Sequence, residues 1–318
     1  MSEHAPARVV ALGAHVLDVL ARPVTEIPAG QGGTLIEQIR VSPAGAAGGT
    51  AVTLAKLGAE TFSAGAVGSD RLGDVLLAEL QSHGVDTSNV VRRDDVQTSA
   101  TVLPIRPNGE RPALHVIGAN GSYGVDDVPW DLVESAGYLH MGGPEFLGPE
   151  AAAQILEFCR DHDVTTSVDL LADGWPELLD MLDPILAHID WFLPNDDQTR
   201  ALTGLDDLEQ AAAALRERGV SGIAATCGAD GSLIVDAEGS TRVPALEIEV
   251  VDTTGCGDAF SAGFVRGLSL GRDPVGAAEL GTAAAALVAQ GLGSDAGDFD
   301  LDDALAYAGV GDGAGSGS

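Results

Sequence analysis

The residues with the clearest chemical potential form one run, Asp252-Thr253-Thr254-Gly255-Cys256-Gly257-Asp258-Ala259-Phe260. It follows a strand-like stretch, 247–251, and opens an apolar, small-residue segment, 259–270, so it reads as strand, glycine turn and helix start. Glycines tolerate backbone conformations that aim several N–H groups the same way, and a helix N-terminus adds unpaired donors and the positive end of a dipole. Such a turn attracts anions. A carboxylate inside it, Asp258, would repel a phosphate unless it has a task, such as taking the proton of a hydroxyl that attacks phosphorus. The plainer reading is an acid placed in the first helical turn by the dipole, and for this turn alone that reading leads.

Two residue counts narrow the chemistry. Lys56 is the only lysine of the 318 residues, and it lies in a helix-like segment, 49–58, so neither a P-loop nor the strand lysine of protein kinases is present. Phosphoryl transfer would therefore lean on backbone N–H groups, a metal ion and any arginine within reach. The 3 cysteines, Cys159, Cys227 and Cys256, lack metal-ligand spacing, leave one unpaired in any disulfide scheme and fit a reducing, cytoplasmic setting. Cys256 reads as a nucleophile activated by the helix N-terminus or, with no histidine near it in sequence, as a small side chain filling a tight turn.

Lysine and arginine total 16 against 48 acids, a formal charge of -32, which disfavours nucleic acid and anionic membranes as partners. No run is long enough to span a bilayer, and the N-terminus lacks the order of a signal peptide. The 7 histidines show no paired metal spacing. Ser261 sits one residue short of a hydrolase elbow, inside an expected helix, and reads as packing.

The elements that must position these residues follow α/β grammar, with strands expected at 8–13, 138–141, 165–169, 189–193 and 222–226 and helices at 150–162, 176–187, 208–218, 274–290 and 301–307. Asp18 falls just past the first strand, at the rim where open parallel sheets bind ligands, as a sugar contact or a turn carboxylate. Alternating stretches at 35–41, 99–105 and 113–117, the last two joined through Pro107-Asn108-Gly109, predict a small antiparallel sheet, a lid from about 22–43 and 97–119. Glycine-rich turns at 43–50 and 67–73 admit close ligand approach or tight helix–strand packing. One domain spans 6–309, and the Gly/Ser/Asp-rich tail, 310–318, reads as disordered.

Taken in order, these turns resemble the ribokinase-like, or PfkB, family of sugar and nucleoside kinases along nearly the whole chain. The resemblance rests on Asp252 to Phe260, with Gly13 and Asp18, Ala44-Gly45, Val67-Gly68-Ser69-Asp70, Gly118-Ala119-Asn120, the Asn195 segment and Thr226-x-Gly228-x-x-Gly231. It implies an α/β, ribokinase-like fold: a central, mostly parallel sheet flanked by helices on both faces, with a small antiparallel β lid. It implies Asp258 as general base, the N–H groups of Gly255, Cys256 and Gly257 as an anion hole, and ATP with Mg2+ as cofactors. Asp18, Gly45, Gly49 and Asn120 would line the acceptor, and Asn195, Thr226, Gly228, Gly231 and Thr254 the nucleotide. Asp252 and Thr254 match positions that often help hold a monovalent cation, K+.

The chain departs from the pattern twice. Gly49 stands where the family usually has an asparagine, with Thr50 a candidate replacement, and Gln198 stands where it has a glutamate tied to magnesium, with Asp197 beside it able to supply the charge. The reading is ATP-dependent phosphorylation of a small neutral sugar. A nucleoside kinase is the rival, although aromatic residues make up only 4% of the chain. A weakly catalytic sugar- or nucleotide-binding protein is the alternative from another class. An exposed lid edge makes a homodimer through the lid a further expectation.

Overall fold

The runs Val9–Leu12, Ala64–Val67 and Ile223–Ala225 are buried without interruption, the signature of strands covered on both faces. In the computed structural model, which describes residues 6–310, they lie on interior strands of a 9-stranded sheet. The strands are β1 (Arg8–Gly13), β2 (Val16–Arg22), β3 (Gln38–Ala44), β4 (Glu60–Gly68), β5 (Asp86–Arg93), β6 (Ala100–Pro104), β7 (Leu114–Val116), β8 (Tyr138–Gly142), β9 (Thr165–Asp169), β10 (Trp191–Phe192), β11 (Gly222–Thr226), β12 (Ser232–Val235) and β13 (Ser240–Val243). The larger sheet runs β13-β12-β11-β10-β9-β8-β1-β4-β5, parallel except for β12 and β13 at one edge.

Alternate residues of β1 show why helices cover both faces. Val10 and Leu12 pack with Ile155 and Leu156 of the helix Pro149–Asp161 and Leu182 of Pro176–Leu186. Val9 packs oppositely, with Leu54 of the helix Gly48–Lys56 and Ala262 and Val265 of Cys256–Ser269. The helices Cys256–Ser269 and Pro274–Ala289 approach closely enough that a Cβ on Gly263 would lie 2.7 Å from Gly281 Cα.

A second, 4-stranded sheet, β3-β2-β6-β7, forms the lid. β2 pairs antiparallel with β3, and β6 with β7 in the expected hairpin, while β2 and β6 run parallel.

Several sequence expectations need correction. Asp18 lies within β2, a lid strand, rather than just past a strand end. β3 begins at Gln38, three residues beyond Leu35, which is fully exposed (100%). The strand expected at 189–193 is Trp191–Phe192, and the last helix runs to Val310, leaving only 311–318 of the expected tail outside the described residues. The alternating stretch 247–251 forms no strand. Its last residue instead donates its N–H to Ala289 O at the end of a helix, and Val250 is 57% exposed.

Candidate active site

Asp258 sits in the first turn of the helix Cys256–Ser269, which begins where Gly255 adopts φ +76. That left-handed conformation suits glycine, and a Cβ there would collide with Ser294 at 2.4 Å. Cys256 N donates to Thr253 O at 3.3 Å, so of the three amides expected to form an anion hole, those of Gly255 and Gly257 carry no backbone acceptor among the described residues. The Cys256 thiol packs against Ala285 O, and burial pushes its pKa up to about 12, which makes it filler rather than nucleophile.

Asp258 is partly buried at the cleft. Desolvation, then the charge of Asp18, raises its pKa to about 7. Gly49 provides its space, and Thr50 Oγ1 donates to the Asp258 carbonyl at 3.3 Å, so Thr50 serves the helix backbone instead of replacing the missing asparagine. Asp18, on β2, is itself buried, and desolvation raises its pKa to about 6 against hydrogen bonding by Thr101 and the charge of Arg111.

Two more carboxylates converge here that sequence reasoning missed. Asp169, the last residue of β9, is pushed well above the usual carboxylate range by desolvation and by Asp258, and Ser261 Oγ donates to it at 3.3 Å. Glu145 follows β8, accepts from Leu171 N and Ala172 N at 2.8 Å each, and keeps Oε2 buried without a partner. Glu145 stands after β8, which adjoins β1 where the strand order reverses, and Asp169 ends β9, the next strand along; that rim rule was the signal available to find them.

On the other side of the turn Gly255–Gly257 lies a cavity of about 540 Å³, reached by Thr226, Gly228, Gly231 and Gly257 and walled by Ile248, Val250, Phe260 and Ala285. The stretch that failed to become a strand is therefore one wall of this cavity. Its size and apolar sides suit a flat heterocycle. Carboxylates on one side and a cavity on the other share the single turn Gly255–Gly257, whose Gly255 and Gly257 amides can hold an anion.

The remaining expected residues divide. Gly45, at φ +87, packs against Ala14 O and shapes the turn before the helix Gly48–Lys56. Asn120 has both ends of its amide on the backbone of His15: Oδ1 accepts from His15 N and Nδ2 donates to His15 O, both at 3.1 Å, bracketing the turn after β1. Asn195 bridges to Thr226 and forms a reciprocal cap with Gln198. Gln198 Oε1 accepts from Asn195 N at 2.8 Å and Nε2 donates to Ala172 O at 2.7 Å, so both ends of its amide are engaged by the backbone. Asp197 is 94% exposed. The Thr254 hydroxyl is held between Asp252 and Arg111 rather than turned to the cavity. In the turn 67–73, Asp70 caps its helix through Gly73 N and accepts from Thr98, which settles that turn as packing.

Comparison with known proteins follows the same lines. Residues 7–299 match the pfkB family carbohydrate kinase profile. The ATP-dependent ribose-1-phosphate kinase of Halopiger xanaduensis is 30% identical over 286 residues, covering 89% of this chain and 92% of that protein. The 2-dehydro-3-deoxygluconokinase of Bacillus subtilis is 29% identical over 266 residues, covering 79% and 81%. The Arabidopsis thaliana ribokinase structure with ribose and ATP superposes at TM-score 0.83 and 23% identity, covering 96% of this chain and 99% of that one. Fold, profile and relatives agree, and the chain belongs to the pfkB family of carbohydrate kinases, phosphotransferases acting on a sugar hydroxyl.

Proposed function

We propose that this kinase transfers the γ-phosphoryl group of ATP to a hydroxyl of a small neutral sugar, with Asp258 as general base. The observation that carries the reading is the position of Asp258 in the anion-binding turn, with its pKa raised to about 7, where a base works near neutral pH. The carboxylate accepts the hydroxyl proton as the oxygen attacks phosphorus, and the amides of Gly255 and Gly257 stabilise charge developing on the transferred oxygens. ATP fits the cavity beside Thr226, Gly228 and Gly231.

Neutrality of the acceptor is supported by charge. Asp18, Asp169 and Asp258 already have their pKa values raised by burial and neighbouring carboxylates, and Arg111 is engaged by Thr254 and Asp252. A phosphate already on the sugar would find that cation taken and would oppose ionisation of the base. Asp18 is placed to accept from sugar hydroxyls. Gln198 is engaged in its cap, and Asp197 is exposed and pairs with Arg200 at 3.8 Å, so an Mg2+ ion would be carried mainly on the ATP phosphates and completed by water; when bound it would neutralise phosphate charge.

The lid's outer face exposes Ile39, Val102 and Leu114, apolar surface that a second copy's lid would cover, and the homodimer remains part of this reading. Among the described residues no helix is long and apolar enough to cross a membrane. Measuring ADP release with ATP, Mg2+ and a panel of neutral sugars, sugar phosphates and nucleosides tests the proposal. Turnover highest on a neutral sugar is expected, and preference for a sugar phosphate or nucleoside would overturn the acceptor assignment.

A further inference from the structure

The residues matched to a monovalent-cation site, Asp252 and Thr254, do not fit a K+ ion. Arg111, in the connection between β6 and β7, places NH1 2.5 Å from Thr254 Oγ1 and 3.5 Å from Asp252 Oδ1. Thr254 Oγ1 in turn donates to Asp252 Oδ1 at 2.9 Å, and Thr254 N donates to the same oxygen at 3.1 Å. The other oxygen, Oδ2, accepts from Gly293 N at 3.0 Å. An alkali ion needs a shell of oxygen acceptors, and here the shell is already turned to N–H and O–H donors with a guanidinium among them.

The loop behind Asp252 repeats the pattern. Carbonyl oxygens are what surround K+ in proteins. In this loop Leu292 O accepts from Arg40 at 2.6 Å, while Lys56 Nζ donates to Asp295 O, Ala296 O and Gly297 O at 2.7, 2.9 and 2.6 Å. Arg40 also pairs with Asp295 at 2.8 Å, and Lys56 lies over the Phe299 ring. The loop touches the anion-binding turn directly, since Ser294 packs on Gly255. The only lysine of the chain is thus spent holding carbonyls together beside the catalytic turn.

We propose that the chain's own cations do the work of an alkali ion: Arg111, delivered by the lid, supplies the positive charge at Asp252 and Thr254, and Lys56 and Arg40 order the loop behind them. Arg111 is a positioning residue that couples lid to turn, and the kinase needs no K+. The inference rests on the kinase reading only for its activity arm.

The ligand-free protein is first melted in KCl and in choline chloride at equal concentration, a readout that requires no substrate. Coincident melting curves are expected, because an ion bound to the native state would raise the transition in proportion to its occupancy. Turnover of the wild type is expected to agree within about twofold between the two salts. Arg111→Gln is expected to lose about tenfold or more in kcat in choline chloride and to recover part of it in KCl, and Arg111→Lys to keep more activity than Arg111→Gln. A K+-specific rise in melting temperature, a wild type activated tenfold or more by K+, or an Arg111→Gln enzyme as active as wild type in choline chloride would each overturn the proposal. Loss of kinase activity on every acceptor tried would count against the functional reading and leave the melting comparison to decide the cation question.

Discussion

Gly49 makes the room that Asp258 fills: a Cβ at position 49 would stand 2.2 Å from Asp258 Oδ2 and 2.8 Å from its Cγ. The collision is with the end of a side chain, so a residue larger than glycine would move the carboxylate and leave the backbone where it is. In Gly49→Ala the better helix former should offset the cost of displacing the carboxylate, leaving stability within about 1 kcal/mol of wild type. Turnover should nonetheless fall by about tenfold or more, since a displaced base loses its alignment with the acceptor hydroxyl. Thermal melting and kcat on the same preparation check this, and unchanged turnover with unchanged melting would show that Asp258 does not depend on the space.

Asp258 and Asp18 titrate as a neighbouring like-charged pair, with pKa values raised to about 7 and about 6. The base acts when ionised, so kcat/KM should rise with pH through an ascending limb near neutrality. Asp18→Asn removes the like charge and should move that limb to lower pH, while weakening acceptor binding. A pH–rate profile of both proteins measures the shift, and a limb that stays in place or moves upward would contradict the coupling.

The same shift makes a stability prediction. The folded pKa of Asp258, about 7, lies above the usual 3.8, so its contribution to stability is fully present at the acid end and is lost as pH rises toward 7. A neutral Asp258→Asn should therefore be more stable than wild type, by a margin smallest near pH 4, growing to about pH 7 and level above. The plateau should be on the order of 2–3 kcal/mol, allowing for the partial burial of Asp258. Buried His15 and His140, lowered to about 4 by desolvation, act in the opposite sense, losing stability as pH falls below 6.5. They are common to both proteins and cancel in the difference. Denaturant melts of the pair across pH 4–9 supply the test.

The cavity assigned to ATP predicts a separable defect. Ala285→Trp would push an indole into the cavity of about 540 Å³ behind the turn Gly255–Gly257. ATP affinity should drop by about tenfold or more by calorimetry, while the pH limb set by Asp258 and Asp18 keeps its position. Undiminished ATP affinity would place the nucleotide elsewhere.

How much of this was legible depended on sequence distance. The run Asp252 to Phe260 and the turn holding Gly228 and Gly231 carry their backbone logic locally, and the structure puts them where their sequence predicts, on either side of one cleft. Glu145 and Asp169 were invisible because their nearness to Asp258 exists only after β8 and β9 pair beside β1. Asn120 and Gln198 were read as ligand contacts because side-chain amides bind ligands and backbones alike, and only tertiary structure supplies His15 and Ala172 as their partners. Residues 247–251 alternate as a strand does, yet have no neighbouring strand to pair with and become a cavity wall. Arg111 reaches across 143 positions to Thr254, a contact that no local pattern announces.

The central claim is that Asp258 takes the acceptor proton. It is tested most directly by single-turnover ADP release from Asp258→Asn, with saturating ATP, Mg2+ and the best neutral sugar of the panel, after ATP binding has been shown to be intact. The account predicts a loss on the order of a hundredfold or more in the phosphoryl-transfer rate in a protein at least as stable as wild type. A rate close to that of wild type would contradict it.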